Sequence, residues 1–263
     1  MKTLLGIGLL ASLLLPSLAT AQSAFDGTWK IDTNKAEFPK KPDVFLLQDG
    51  MWECKTCVPP IKIKADGQDQ PVTGHPYFDT SAIKVISDHE IEDTDKKNGK
   101  TVGTSKLTVS PDGNTLTFEF SDSSHSNGAP VTGKGEETRV AKGPAGSNAI
   151  SGSWRMVKIE NLSDNATTWT YKVNGDELTM TTPTGQSYTA KLDGTEAPYK
   201  GDPGTTSVSI KQMGKNTIEE TDKRDGKVIS VARMTVAADG KSMTIAWTDK
   251  LGGTTGQDVA EKQ

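Results

Sequence analysis

Cysteine, histidine and aromatic residues are scarce in this chain. Its 263 residues include two cysteines, three histidines, six phenylalanines, five tryptophans and four tyrosines. Without further Cys, a structural zinc site of the thiolate kind lacks ligands. Beyond residue 21 no stretch is apolar enough to span a bilayer, so no transmembrane segment is expected. An excess of basic residues is also missing. The formal net charge is −4, which argues against nucleic acid or an anionic membrane as the main partner, because both require a basic face. No long segment carries a helical period, no Gly-rich loop opens a helix to cradle phosphate, and no Gly-x-Ser-x-Gly elbow is present. The expectation is therefore a protein that is not an enzyme, with no catalytic set, no cofactor and no metal.

The first residues carry an address. Lys2 supplies a positive start, Leu4 to Leu15 a short apolar core, and Ala19-Thr20-Ala21 a small-x-small cleavage pattern. Residues 1–21 are thus expected to be a signal peptide, cleaved near Ala21. No Cys follows the cleavage site to take a lipid anchor. The leader is bacterial in style and predicts a secreted or periplasmic protein.

The remainder is rich in Gly, Thr, Ser and Asp, with 33% hydrophobic residues overall, a composition suited to short strands and many turns. Two similar stretches open two similar segments: Gly27-Thr28-Trp29 and Gly152-Ser153-Trp154. Asp66-Gly67 aligns with Asp193-Gly194, and the two stretches run in step without a gap to Asp122 and Asp249. A self-match at this length indicates one module written twice. The division expected is 22–142 for the first repeat, 143–149 for a linker and 150–263 for the second repeat. Asp49-Gly50 and Asn98-Gly99 are hairpin signals. Hairpin-joined strands expose sheet edges unless the sheet closes, so the expected fold is all-β, two tandem antiparallel up-and-down barrels, with a β-sandwich or other antiparallel fold as the alternative.

An opening Gly-x-Trp strand in a unit of this size resembles the lipocalin and fatty-acid-binding (calycin) superfamily. The resemblance implies that Trp29 and Trp154, with Gly27 and Gly152, close one end of each barrel. It also implies that an Arg from near the last strand packs across the Trp, and Arg139 is placed to do this for Trp29. The second unit departs from the pattern, since its last segment, Gln257-Asp258-Val259-Ala260, has no Arg. The run Cys54-Lys55-Thr56-Cys57-Val58-Pro59-Pro60, followed by Lys-rich alternation, is similar to a group of secreted bacterial proteins. That similarity carries no mechanism.

Cys54 and Cys57 are expected to form a local disulfide in an oxidising compartment. A redox pair or a metal site is the alternative, although no helix follows to stabilise a thiolate. His75 sits in a Pro/Gly loop and would need Asp69 or Asp79 beside it to act as ligand or base. Glu92 with Thr94, and Glu219 with Thr221, share a strand face in both units. If that face is interior, they would join Lys84 and Lys211 to line a ligand site. If it is exterior, they form surface ion pairs worth little. Ile83, Val85, Leu107, Val109, Leu116 and Phe118 are expected to line or fill the first interior.

The function expected is binding of a small, partly apolar ligand in a barrel mouth or core, as the resemblance implies. The alternative is a structural or protein-interaction module of the cell envelope with filled barrels.

Overall fold

The computed structural model describes residues 23–125 and 127–263. The expected signal peptide lies outside the described residues. Strand β1 (Gly27–Ile31) comes first. Ten strands then run up and down in succession: β2 (Asp43–Gln48), β3 (Met51–Cys54), β4 (Ile61–Lys64), β5 (Gln70–Pro71), β6 (Thr80–Ser87), β7 (Glu90–Lys97), β8 (Lys100–Val109), β9 (Thr115–Asp122), β10 (Val131–Lys142) and β11 (Gly152–Glu160). After one helical turn, α1 (Asp164–Thr167), come β12 (Thr168–Asn174), β13 (Glu177–Thr181), β14 (Ser187–Lys191), β15 (Asp193–Pro198), β16 (Ser207–Gly214), β17 (Thr217–Arg224), β18 (Lys227–Val236), β19 (Ser242–Asp249) and β20 (Thr254–Lys262).

These strands form two antiparallel ten-stranded sheets, each curled into a nearly closed barrel. The turns follow the sequence chemistry. Asp49-Gly50, Asn98-Gly99 and Asp225-Gly226 each hold two consecutive residues at positive φ. That is the two-residue hairpin turn that Asn-Gly and Asp-Gly favour, and its twist matches the strands it joins.

The first barrel is the unbroken meander β2 to β11, closed where β11 pairs with β2 through Gly152↔Phe45 and Trp154↔Asp43. The second barrel is β12 to β20, with β1 inserted between β20 and β12 through Trp29↔Lys262 and Trp29↔Trp169. Backbone bonds between Ser187 and Lys200 help to close its remaining seam. The sheets therefore divide after Glu160 and not at residues 143–149. That segment lies in the loop of the β10–β11 hairpin, and each Gly-x-Trp strand sits in the barrel built by the other repeat.

The reason is local. The β10–β11 ladder runs from Lys142↔Gly152 to Lys134↔Glu160, and closing the short loop between neighbouring strands costs less entropy than bringing in a distant one. β11 therefore takes the slot beside β10. The equivalent slot beside β20 is filled by β1.

Candidate functional site

Each barrel packs one end of its core around a buried tryptophan. Trp154 is fully buried and its indole Nε1 donates to the Ile150 carbonyl at 2.8 Å. Arg139 lies over the ring, 3.9 Å from its centroid. Its guanidinium donates to the carbonyls of Gly113, Ser151 and Ala149, the last two at 2.8 and 2.6 Å. Trp29 repeats the arrangement, with Nε1 donating to Phe25 O at 2.8 Å. Lys262 lies 4.8 Å from the ring centroid and donates to Ala24 O at 3.1 Å. One expectation is corrected here. Arg139 packs on Trp154 and not on Trp29, because β11 and not β1 adjoins β10. The second barrel has no Arg at this place, as expected, and carries Lys262 on its tryptophan instead.

Above the floor of the first barrel, strand alternation sets what faces inward. Along β7 the inward residues are Ile91, Asp93 and Asp95, reading from floor to mouth. Ile91 is fully buried, so its neighbour Glu92 must face out. The same holds for Ile218, at 1% exposure, and Glu219. The polar face formed by Lys84, Glu92 and Thr94, and by Lys211, Glu219 and Thr221, is thus the outer one and lines neither interior. Lys84 and Glu92 form an ion pair there at 3.7 Å, as do Arg233 and Glu219 at 3.0 Å. Val85, expected inside, is 42% exposed beside a register shift at the end of β6. The other five apolar residues expected inside face inward.

A cavity of about 440 Å³ occupies the first interior. Phe45, Trp52, Ile61, Leu107, Phe118 and Met156 supply its apolar wall. Phe45 and Trp52 stack at 5.3 Å, and Phe118 lies over Gly135, where any Cβ would collide with the ring. At the loop end His75 stacks on Phe78 at 4.3 Å. Asp69 is committed to Lys96 and Asp79 to the Asn98 amide, so neither converges on His75. Burial pushes the His75 imidazole down, which keeps it neutral at pH 7.

Four carboxyls enter the cavity: Asp43, Asp93, Asp95 and Glu137. No Lys or Arg lines it. Ser81 Oγ donates to Asp93 at 2.8 Å, leaving Asp95 Oδ1 buried without a donor. Burial raises Asp93 to about 6. Burial, with the Asp93 charge adding to it, raises Asp95 to about 7. Glu137, 4% exposed, is raised to about 8 by burial and by the Asp43 carboxyl with which it shares a hydrogen bond. Two carboxyls in contact need a proton between them, and no N–H or O–H donor of the described residues reaches Glu137 Oε2.

Cys54 and Cys57 are bridged, with Cα atoms 5.4 Å apart, and both line the cavity. The bridged turn presents Thr56, whose hydroxyl donates to Asp43 Oδ1 at 3.3 Å and accepts from Val44 N at 3.0 Å. The disulfide thus sits in the wall and holds a partner of the Asp43 carboxyl.

Corresponding positions of the second barrel follow from the strand registers. Tyr171, Met180 and Tyr188 stand where the first barrel has Phe45, Cys54 and Ile61. Tyr171 and Tyr188 are buried, and Tyr199 packs 5.6 Å from Tyr188. The buried Glu220 and Asp222 occupy the places of Asp93 and Asp95, but Tyr188 donates to Glu220 and Ser230 to Asp222. Buried tyrosines thus stand in the second interior where Phe45 and Ile61 line the cavity of the first.

Sequence reasoning missed the inward carboxyls. The available signal was the isoleucine beside each Glu, which claims the inner face for the residues two and four places on. No group of three or more His, Cys, Asp or Glu among the described residues is arranged to hold a metal ion. No helix among the described residues is long and apolar enough to cross a membrane. The chain matches no protein-family model, and no curated protein matches it significantly.

Proposed function

We propose that this is an exported binding protein whose first barrel holds one small, partly apolar molecule. The observation that carries the reading is the contrast between the two interiors. The first barrel has an open-mouthed cavity of about 440 Å³, within the range of small-molecule sites. In the second barrel the equivalent positions carry tyrosines. The second barrel, with β1 inserted in its sheet and tyrosines inside, serves as a structural partner, which confines the interaction-module reading to that half. The nearly closed antiparallel barrels are compatible with a calycin-like fold, and lipocalin kinship belongs to the proposal. Export is supported by the leader and by the bridged cysteines, which suit an oxidising compartment.

Native mass spectrometry on protein recovered from its own exported fraction tests this. The expected result is one adduct per chain, not two. In addition, Leu107→Trp, which places a large ring in the cavity, should abolish the adduct while the chain stays folded. A bare mass from crude preparations, or an adduct that survives Leu107→Trp, would overturn the proposal.

A further inference from the structure

The polar inventory of the cavity is one-sided. It contains four carboxyls, a neutral imidazole and a few hydroxyls, with no cation. An anionic ligand such as a fatty acid would meet acids on both sides and no counter-charge. A purely apolar ligand would seal Glu137 Oε2 and Asp95 Oδ1 away from water without donors, which costs free energy for each. A ligand bringing N–H donors and a positive charge removes both penalties.

Comparison within the molecule locates the head group. The β7 carboxyls have counterparts in the second barrel, so they belong to the shared architecture. Asp43 and Glu137 do not. The registers place Trp169 where Asp43 stands, because each pairs with the floor tryptophan of its barrel. They place Ala260 where Glu137 stands, because each pairs two residues past that tryptophan. The carboxyl pair and the disulfide turn that holds Asp43 through Thr56 are therefore found only in the hollow barrel.

Resting on the reading of this cavity as a ligand site, we infer that it takes a small organic amine, with the ammonium on Asp43 and Glu137 and the apolar body against Phe45, Phe118 and Met156. Ammonium offers three donors, enough for Glu137 Oε2 and the Asp43 carboxylate together. The aromatic faces nearby favour a cation further.

Binding is linked to protons. Unliganded, the pair holds one proton, and the arriving cation displaces it. The neighbours facing Glu137 are Asp43 from β2, Leu116 from β9 and Met156 from β11. Asp93 and Asp95 lie across the cavity, and the Arg139 guanidinium is held by backbone carbonyls. Only Asp43 therefore acts on the proton at contact range. Amine affinity should rise with pH from about 6 to about 8.

The test is titration calorimetry on the mature full chain with 2-phenylethylamine, 2-phenylethanol and 3-phenylpropionate, which share a phenyl body and differ in head-group charge. The amine is expected to bind one per chain, at least about ten-fold tighter than the alcohol. At pH 7 its apparent heat should change with the buffer's ionisation enthalpy, reporting proton release. Glu137→Gln should bring the amine to within about two-fold of the alcohol, and Asp43→Asn provides the same test should Glu137→Gln fold poorly. Alcohol or carboxylate binding as tightly as the amine would overturn the amine assignment and leave the binding site standing. No binding by any probe, together with a bare native mass, would sink both.

Discussion

Glu137→Gln should change how the stability of the first barrel depends on pH. In the fold Glu137 holds its proton up to about pH 8, against an ordinary value of 4.5, because it is buried beside Asp43. Between those values the folded state keeps a proton that the unfolded chain has released. Stability is thus fully present below about pH 4.5 and is lost as pH rises through 8. At about 1.4 kcal/mol per pKa unit the full loss is on the order of 5 kcal/mol. Water entering the cavity beside an ionised Glu137 would reduce that to roughly 2–4 kcal/mol. Glutamine keeps the shape and gives Asp43 an N–H donor without an ionisable proton. Urea unfolding of both proteins at intervals from pH 4 to 9, followed by tryptophan fluorescence, would measure the difference. The variant is expected to gain on the parent steadily across pH 5 to 8, while the slopes due to Asp93, Asp95 and Glu220 persist in both proteins. Parallel profiles, with a constant offset at every pH, would refute the claim that Glu137 carries a displaced titration.

Three further outcomes follow from the geometry. Arg139→Ala removes three charged hydrogen bonds and the contact with Trp154. It should cost about 2–4 kcal/mol, with Arg139→Lys recovering part of that, as Lys262 does on Trp29. A loss below about 0.5 kcal/mol in denaturant unfolding would contradict this role. Trp29→Ala should cost about 3–5 kcal/mol and speed hydrogen exchange in β12 to β20, while β2 to β11 stay protected. The reverse pattern would refute the exchange of opening strands. Cys54→Ser with Cys57→Ser should lower stability by only about 1–2 kcal/mol, because the loop closed is tiny. A loss above about 4 kcal/mol, read as a denaturant midpoint, would show that the bridge does more than hold a turn.

Much of the architecture was legible because it rests on short-range chemistry. Asn98-Gly99 can turn a hairpin by itself, and the alternation around Ile83 and Ile91 makes a strand with one apolar face. The match of Asp66-Gly67 with Asp193-Gly194 shows the module twice. The candidate site was less legible. In Glu92-Asp93-Thr94-Asp95 both faces are polar, so only Ile91 before them marks which carboxyls go inside. Glu92 shares its face with Thr94, but the inward pair is Asp93 with Asp95. Asp43 and Glu137 lie far apart in the chain, and nothing near either announces the other.

The chain by itself determined the strands, their turns, the twofold repeat and the bridge of Cys54 to Cys57, since each depends on neighbours within a few residues. Only the tertiary structure decided which barrel receives each Gly-x-Trp strand, because the two slots accept the same motif and the cheaper loop decides between them. It also decided that the first interior holds a cavity with Asp43 and Glu137 in it, while tyrosines stand in the second. That outcome depends on side chains brought together across three neighbouring strands, Phe45 and Ile61 in one barrel and Tyr171 and Tyr188 in the other, whose volumes converge only when the sheet curls.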